Sequence, residues 1–442
     1  MKRGFTVIFI IPLVVLMVLY LNSPKIENTK IIINEPKIVY ENHELFQKIK
    51  NIASSSFIHY IRNCKGSSEV KSNSAQCLNN SFFAATLIES LEVLQVLKLK
   101  DLFNMSKEWI VSNYQCENLS WISVFDFWER VVGSLIGSYI LSKDKLFLEM
   151  ADKCAKQAIG IIEGSSKYPS FLNFDKRISK LHSINNYSLI SNIVAGLPEI
   201  MTLYRETQDI LYYNYIEKVV LILNNETKEF PLFWGDQGNQ TKKYLYNAQE
   251  PFLDFVDILT VSNMINQSEI IGKLIEKTLS EKNTSFEYLI PKMLFTLSNV
   301  QHMGLNLSMI NHSFYESQYN QNQIFKPNER SRFPPNYGYI NCYRFETYKL
   351  NLLLANRSAS PYYKKKILDQ LDFSRDTMGF SGICSVNSIQ NILDHVQHSQ
   401  FFSDLLMKGS LYSVSHSLIE NMPESLILNR FGHILYLNQS II

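Results

Sequence analysis

The chain has 442 residues, 46% hydrophobic and 19% charged, with 43 Lys and Arg against 41 Asp and Glu for a formal net charge of +2. Such a composition buries a large core and excludes a disordered chain, and the balanced charge, free of basic blocks, excludes the electrostatic footprint of a nucleic-acid binder. Glycine (16) and proline (13) are scarce for a large sandwich or a doubly wound α/β protein, so the composition favours helices.

At the N-terminus, Lys2 and Arg3 precede an uncharged apolar run over 5–21, near the lower length at which a helix spans a bilayer. The basic flank favours a cytoplasmic tail at 1–4 and a lumenal remainder. No small-x-small cleavage site follows, since the next residues are Asn22, Ser23, Pro24 and Lys25. The run therefore reads as an uncleaved signal anchor of a single-pass type II protein, with a cleaved signal peptide as the alternative. Residues 22–42 form a stem without helical period. Twelve Asn-x-Ser/Thr sequons, from Asn79 to Asn438, agree with a lumenal domain, against simple bias in an Asn- and Ser-rich chain. Six cysteines suit an oxidising compartment; Cys64 and Cys77 are near enough to close a short loop, and no CxxC spacing marks a thiolate metal site.

From residue 43 onward helical periodicity dominates. Leu45, Phe46, Ile49, Ile52, Ala53, Phe57 and Tyr60 make one apolar stripe, and the pattern predicts helices over 82–98, 123–141, 144–163, 199–206, 209–224, 250–264, 267–280, 286–300, 346–356, 361–373 and 399–420. Irregular polar stretches fall at 65–81, 164–186, 226–248 and 312–341, and no linker divides 43–442. Successive helices with short links build stacked hairpins, either a solenoid or a closed α/α barrel. The lack of a fixed-period repeat favours the barrel, in an all-α lumenal domain.

Several segments in order carry a resemblance. They are Thr86-Leu87-Ile88-Glu89-Ser90-Leu91-Glu92 with Leu99 to Phe103; Ser123-Val124-Phe125-Asp126 with Arg130, Gly133 and Tyr139; Gly196-Leu197-Pro198-Glu199 with Thr207-Gln208-Asp209; Arg344-Phe345-Glu346-Thr347; and Gly379-Phe380-Ser381-Gly382 with Phe401-Phe402. Together they resemble glycoside hydrolase family 47, the class I α-1,2-mannosidases, over roughly 43–437. The resemblance implies an (α/α)7 barrel and removal of α-1,2-linked mannose from N-glycans with inversion. It also implies a calcium ion at the barrel base, and high-mannose N-glycans or glycoprotein clients as partners in the endoplasmic reticulum or Golgi.

An inverting glycosidase needs one protonated carboxyl for the leaving oxygen and one carboxylate to activate water, about 6.5–9.5 Å apart. By resemblance Asp126 stands at the acid position, where the family has Glu. The competing reading is a capping box, Ser123-x-x-Asp126, with the carboxylate serving the first helical turn. Glu250 stands where the family has Asp, or is a first-turn acid before Pro251 at N1. Glu346 matches the catalytic base, against a solvated helix-start carboxylate. Glu199, Asp254, Arg130 and Arg344 match substrate-binding positions; Arg130, one turn after Asp126, could also pair with it. Pro198 beside Glu199 would kink a helix interior, unless the helix begins there. Trp109, Trp121, Trp128 and Trp234 could stack on sugars, although most tryptophans in such helices are core.

The departures from the family pattern are Tyr288 for a His, Pro291 for a Cys, Lys349 and Ser399 for carboxylates, and Arg430 for the calcium-holding Thr. Calcium takes six to eight oxygen ligands, and a guanidinium brings positive charge instead. His395 and His398 with Asp394 offer a metal pair but no third ligand nearby in sequence. Three functions therefore compete: an α-mannosidase, favoured by Asp126, Glu199, Glu250 and Glu346; a degenerate glycan- or client-binding protein, favoured by Lys349, Tyr288, Ser399 and Arg430; and a helical scaffold unrelated to sugars.

Overall fold

The computed structural model describes residues 43–80, 82–181, 188–226, 233–234, 375–381, 383–386, 391–393, 395–413, 426–429 and 431–436. The expected anchor at 5–21, the helices expected between 250 and 373, and Glu250, Asp254, Arg344, Glu346 and Arg430 lie outside the described residues. Among the described residues no helix is long and apolar enough to cross a membrane.

The chain opens with α1 (His43–Cys64), β1 (Glu69–Lys71) and β2 (Cys77–Leu78), then α2 (Ala85–Val96) and α3 (Lys100–Asn113). Next come β3 (Trp121–Ser123), the long helix α4 over residues 124–142, α5 (Lys145–Glu163), β4 (Phe171–Asn173) and β5 (Ile178–Lys180). There follow β6 (Ser188–Leu189), α6 (Ile190–Val194), α7 (Leu197–Thr207), α8 (Ile210–Glu226) and β7 (Phe233–Trp234). Towards the C-terminus stand β8 (Ile383–Val386), β9 (Asn391–Leu393), β10 (Val396–Gln397), α9 over residues 401–413, β11 (Leu426–Leu428) and β12 (Ile434–Tyr436).

Burial separates the helices into two layers. Every residue of α2 except Gln95 is buried, Glu89 and Glu92 included, so this helix is enclosed on all sides and its carboxylates need partners. α3 buries only Ser106 and Ile110. α5 is amphipathic, burying Phe147, Ala151, Cys154, Ala155, Ala158, Ile159 and Ile162 along one face. In α7 the stretch from Leu197 to Leu203 is buried. Thus α2, α4, α7 and α9 form an inner layer in which α9 adjoins α2, α2 adjoins α4, and α4 adjoins α7. Outside them α1 packs on α9, α3 on α2, α5 on α4 and α8 on α7. The expected hairpin alternation of outer and inner helices is present.

Two contacts join the late part of the chain to its first helices. α9, far along the chain, lies against α2 near its start. β10 also pairs antiparallel with β1, Val70 opposite Gln397 and Lys71 opposite Val396. The hairpin of β11 and β12 packs on α4 and α7, with His433, Ile434 and Leu435 fully buried.

The structure departs from the expected all-α class in its short antiparallel sheets, such as β3-β4-β5 and β10-β1-β2. Their strands β1, β2, β4 and β5 occupy the stretches 65–81 and 164–186 that read as irregular, and β3 and β10 come from just before α4 and α9, because half-buried connections must pair their backbone groups. α3 has no counterpart among the expected helices, since two buried positions leave too thin an apolar stripe to read. Elsewhere local signals hold. Ser123 caps α4, its Oγ accepting from the Asp126 N–H at 2.9 Å, and Asp144 caps α5. Pro198 sits in the first turn of α7, so it breaks no helix. Gly196 just before it has φ +81, and an added Cβ would meet the Trp128 ring at 2.3 Å. Disulfides join Cys64 to Cys77 and Cys116 to Cys154. Trp128 is fully buried against Phe127 and Tyr215, a core residue and not a sugar platform.

Candidate active site

The inner helices α4 and α9 each contain a π-wound turn, at Phe127–Val132 and at Phe401–Leu406. Such turns widen the helix by one residue per turn and are common where side chains must be re-aimed for function. The first carries Glu129 and Arg130; the second carries Asp404, bonded at 2.5 Å by the buried Lys408 one turn on.

Arg130 is the node of the upper cluster. Its Nε donates to Glu89 on α2, one terminal nitrogen donates to Asp126 Oδ1 at 3.3 Å, and the other donates to Ser399 Oγ at 2.8 Å. The Phe82 and Phe431 rings flank it, their centroids 4.9 and 5.4 Å from the guanidinium carbon, a cation–π arrangement that helps hold it flat. Burial works against the charge of Arg130, but the Glu89 and Asp126 carboxylates outweigh it and raise its pKa. Behind Ser399 stands Glu69, whose Oε1 accepts from the Ser399 N–H at 3.1 Å and lies 3.5 Å from His398 Nδ1. Burial alone would raise the Glu69 pKa; the bond and charge of His398, the Ser399 N–H and Arg130 together lower it. The Asp126 carboxylate is the open member of this group, with its side chain 37% exposed while Glu89 is at 0%. Ser123 Oγ donates to its other oxygen at 2.8 Å, so the capping and site readings of Asp126 describe one geometry.

A second cluster lies deeper. Glu92 Oε1 accepts from the Ile434 N–H at 2.8 Å, and its Oε2 pairs with His433 Nδ1. Ser134 Oγ lies 3.2 Å from the His433 ring nitrogens. Asn429 Nδ2 donates to Glu199 Oε1 and to the Glu129 carbonyl, both at 2.8 Å, while its Oδ1 accepts from the N–H groups of Phe431 and His433. Glu199 is fully buried and its Oε2 has no partner. Desolvation pushes its pKa up to about 7, with the Asn429 bond acting in the opposite direction. Desolvation raises Glu92 as well, against the His433 interaction. Glycines on α4 make the room: a Cβ at Gly137 would sit 1.8 Å from Glu92 Oε1, and one at Gly133 would sit 2.7 Å from Asn429 Nδ2.

Of the residues expected from sequence, the structure brings Asp126 and Arg130 into contact and puts Glu199 beneath the same π-wound turn through Asn429 and the Glu129 carbonyl. Glu250, Asp254, Arg344 and Glu346 lie outside the described residues. Sequence reasoning did not select Glu69, Glu89, Glu92, Asn429 or His433 as site residues. A signal existed for Glu89 and Glu92: two carboxylates spaced i, i+3 in an otherwise apolar helix, where such groups are buried only when paired. Glu69 carries no comparable signal, since it falls in a stretch with no period. Among the described residues no group of three or more His, Cys, Asp and Glu is arranged to hold a metal ion. Chemically, the arrangement offers one reachable carboxyl group, Asp126, on a rigid cationic mount above buried carboxyls, of which Glu199 holds a proton near neutrality.

The sequence profile of glycosyl hydrolase family 47 matches residues 52–341. A mannosyl-oligosaccharide 1,2-alpha-mannosidase of Arabidopsis thaliana is 28% identical over 192 residues, covering 42% of this chain and 33% of the relative. Mannosyl-oligosaccharide 1,2-alpha-mannosidase IB of Mus musculus is 25% identical over 213 residues, 45% of this chain and 32% of its own length. The matched stretch thus spans about a third of these curated relatives. Among solved structures, alpha-1,2-mannosidase from Trichoderma reesei superposes with a TM-score of 0.66 at 12% identity, over 90% of this chain and 100% of that one. At that identity the likeness speaks for the fold.

Proposed function

The chain belongs to glycosyl hydrolase family 47, and on that footing we propose that it is an α-1,2-mannosidase-type hydrolase acting on high-mannose N-glycans of glycoproteins. The observation that carries the reading is Asp126, a half-exposed carboxyl group at the start of an inner helix, fixed by Arg130 and Ser123. In an inverting reaction it gives a proton to the glycosidic oxygen as the bond from that oxygen to the anomeric carbon breaks. Glu346 takes a proton from the water that attacks the same carbon from the opposite face. By the resemblance, Glu250 is the third carboxylate of this scheme and Asp254 and Arg344 are substrate-binding residues. Arg130, tied to Glu89 and Ser399, keeps the acid in register, which matters because a misplacement near 1 Å costs about a hundredfold in rate.

A second reading is a glycan- or client-binding protein without turnover. Ser399 favours it: where the resemblance has a carboxylate, this hydroxyl is engaged with Arg130. The same residues argue against the family's calcium. Ser399 Oγ accepts from Arg130 and faces Glu69, and by the resemblance Arg430 and Lys349 bring positive charge to positions where the family has a calcium-holding Thr and a carboxylate. On that chemistry calcium binding is weak or absent, and no step runs through the ion.

For location, we propose a membrane-anchored lumenal protein of the endoplasmic reticulum or Golgi, with the anchor at 5–21. Exposure of the sequon residues Asn79, Asn104 and Asn118 supports it. The deciding experiment incubates the purified chain with high-mannose glycans, with and without calcium, alongside Asp126→Asn. The expected result is mannose release that falls by roughly a hundredfold or more in the variant. Release untouched by Asp126→Asn overturns the assignment of the acid; glycan binding with no release favours the second reading.

A further inference from the structure

The sheet β3-β4-β5 leads directly into the candidate acid. Its inner face is closed: Ile122 and Leu172 are buried, 2% and 0% exposed. Side chains alternate across a strand, so Trp121 and Ser123 of β3 share the outer face. Ser123 lies opposite Phe171 of β4, and Phe171 lies opposite Lys180 of β5. Ile178, two residues before Lys180 on the same face, is 45% exposed. The Lys180 ammonium stands 4.3 Å from the Trp121 ring centroid and 4.9 Å from that of Phe171. The face therefore carries two part-exposed aromatic rings, an exposed isoleucine and the exposed Lys180 cation beside the rings, with the buried Asn173 between Trp121 and Ile178. It runs through Ser123, whose Oγ holds Asp126 at 2.8 Å.

We propose that this face is an oligosaccharide subsite, binding sugar units of the glycan beyond the bond that Asp126 protonates. The inference rests on the hydrolase reading for the role of Asp126, and the platform itself rests on the sheet. A pyranose has an apolar C–H face ringed by hydroxyls. Aromatic rings suit the first, being large and rigid surfaces that order at low entropy cost. The Lys180 ammonium carries three donors for the second, on a stem long enough to leave the rings as a sugar arrives. A protein partner would need a broader apolar patch, about 800 Å² on each side for a stable complex, whereas these few side chains on a three-stranded sheet form a short strip beside the Asp126 carboxyl. The continuity with Ser123 and Asp126 selects a ligand that passes the acid, which a substrate glycan does.

The test titrates a high-mannose N-glycan and, separately, a mannose disaccharide into the full chain. Tryptophan fluorescence and mannose release are followed in the wild type and in Trp121→Ala, Phe171→Ala and Lys180→Ala. The expected result is a glycan-dependent fluorescence change lost in Trp121→Ala. Glycan affinity falls about tenfold in Trp121→Ala and Phe171→Ala, one tenfold step in the binding constant, and the preference for glycan over disaccharide falls with it. Lys180→Ala, at an exposed side chain, gives the same direction if an aromatic variant fails to fold. Unchanged affinity and preference in the variants overturn the subsite even when mannose is released. Glycan binding through Trp121 without mannose release removes the hydrolase reading and leaves the subsite standing. A wild type that neither binds glycan nor releases mannose removes both, and capture of apolar peptides that glycan does not displace overturns the sugar assignment.

Discussion

Glu199→Gln tests the central electrostatic feature of the site. In the folded protein the carboxyl is fully buried, bonded once to Asn429, and desolvation raises its pKa from 4.5 to about 7. A carboxyl raised in the folded state contributes stability that is fully present below the unfolded value and is lost as pH rises through the folded one. Here the window runs from 4.5 to about 7. At about 1.4 kcal/mol per pH unit, the loss amounts to about 3 kcal/mol by pH 8. Glutamine keeps the acceptor for Asn429 and cannot ionise, so it escapes this loss. Guanidinium unfolding of wild type and variant at pH 4.5, 6 and 8 should show the variant gaining on the wild type by about 3 kcal/mol across the series. Parallel stability profiles over that range would refute the buried, proton-holding state of Glu199.

Gly137→Ala pushes a methyl into the Glu92 carboxylate, which His433 and the Ile434 N–H hold in place; overpacking and a disturbed charged bond should lower stability by about 3 kcal/mol in chemical denaturation. Gly160→Ala is its control, since an added Cβ there meets nothing within 4 Å, and a helical alanine should raise stability by about 0.5–1 kcal/mol. Replacing Cys116 and Cys154 by serine opens a loop with a sequence separation of 38 and should cost about 3–4 kcal/mol by calorimetry. Millimolar calcium should leave the melting temperature unchanged; a ligand at a hundred times its Kd would add about 2.7 kcal/mol, so a clear rise means that the chain binds the ion despite Arg430 and Lys349.

Much of the wall was legible from the chain. The stripes of α2 and α5, the Ser123 cap and the Pro198 helix start are local properties, set by residues three or four positions apart. Such spacing survives in a linear string because one helical turn reports on the next. The resemblance carried Asp126, Arg130 and Glu199 for the same reason, each standing inside a short motif. α3 escaped because an outer helix that buries two residues has almost no periodic signal. The short sheets escaped because three-residue strands carry no readable alternation.

The charge arrangement belongs to the tertiary structure. Glu92 meets His433 across 341 positions, Ser399 meets Glu69 across 330, and Asn429 reaches Glu199 across 230. No periodicity links such pairs; they meet because the late helix α9 and the final hairpin pack against the first inner helices. The sequence by itself determined which faces of the helices are apolar and which family the motifs resemble. Only the packing of the late helix and hairpin against the first inner helices decided which buried carboxylates would face one another, and so which one stays charged and which one keeps its proton, because desolvation and ion pairing depend on neighbours that only the folded chain supplies.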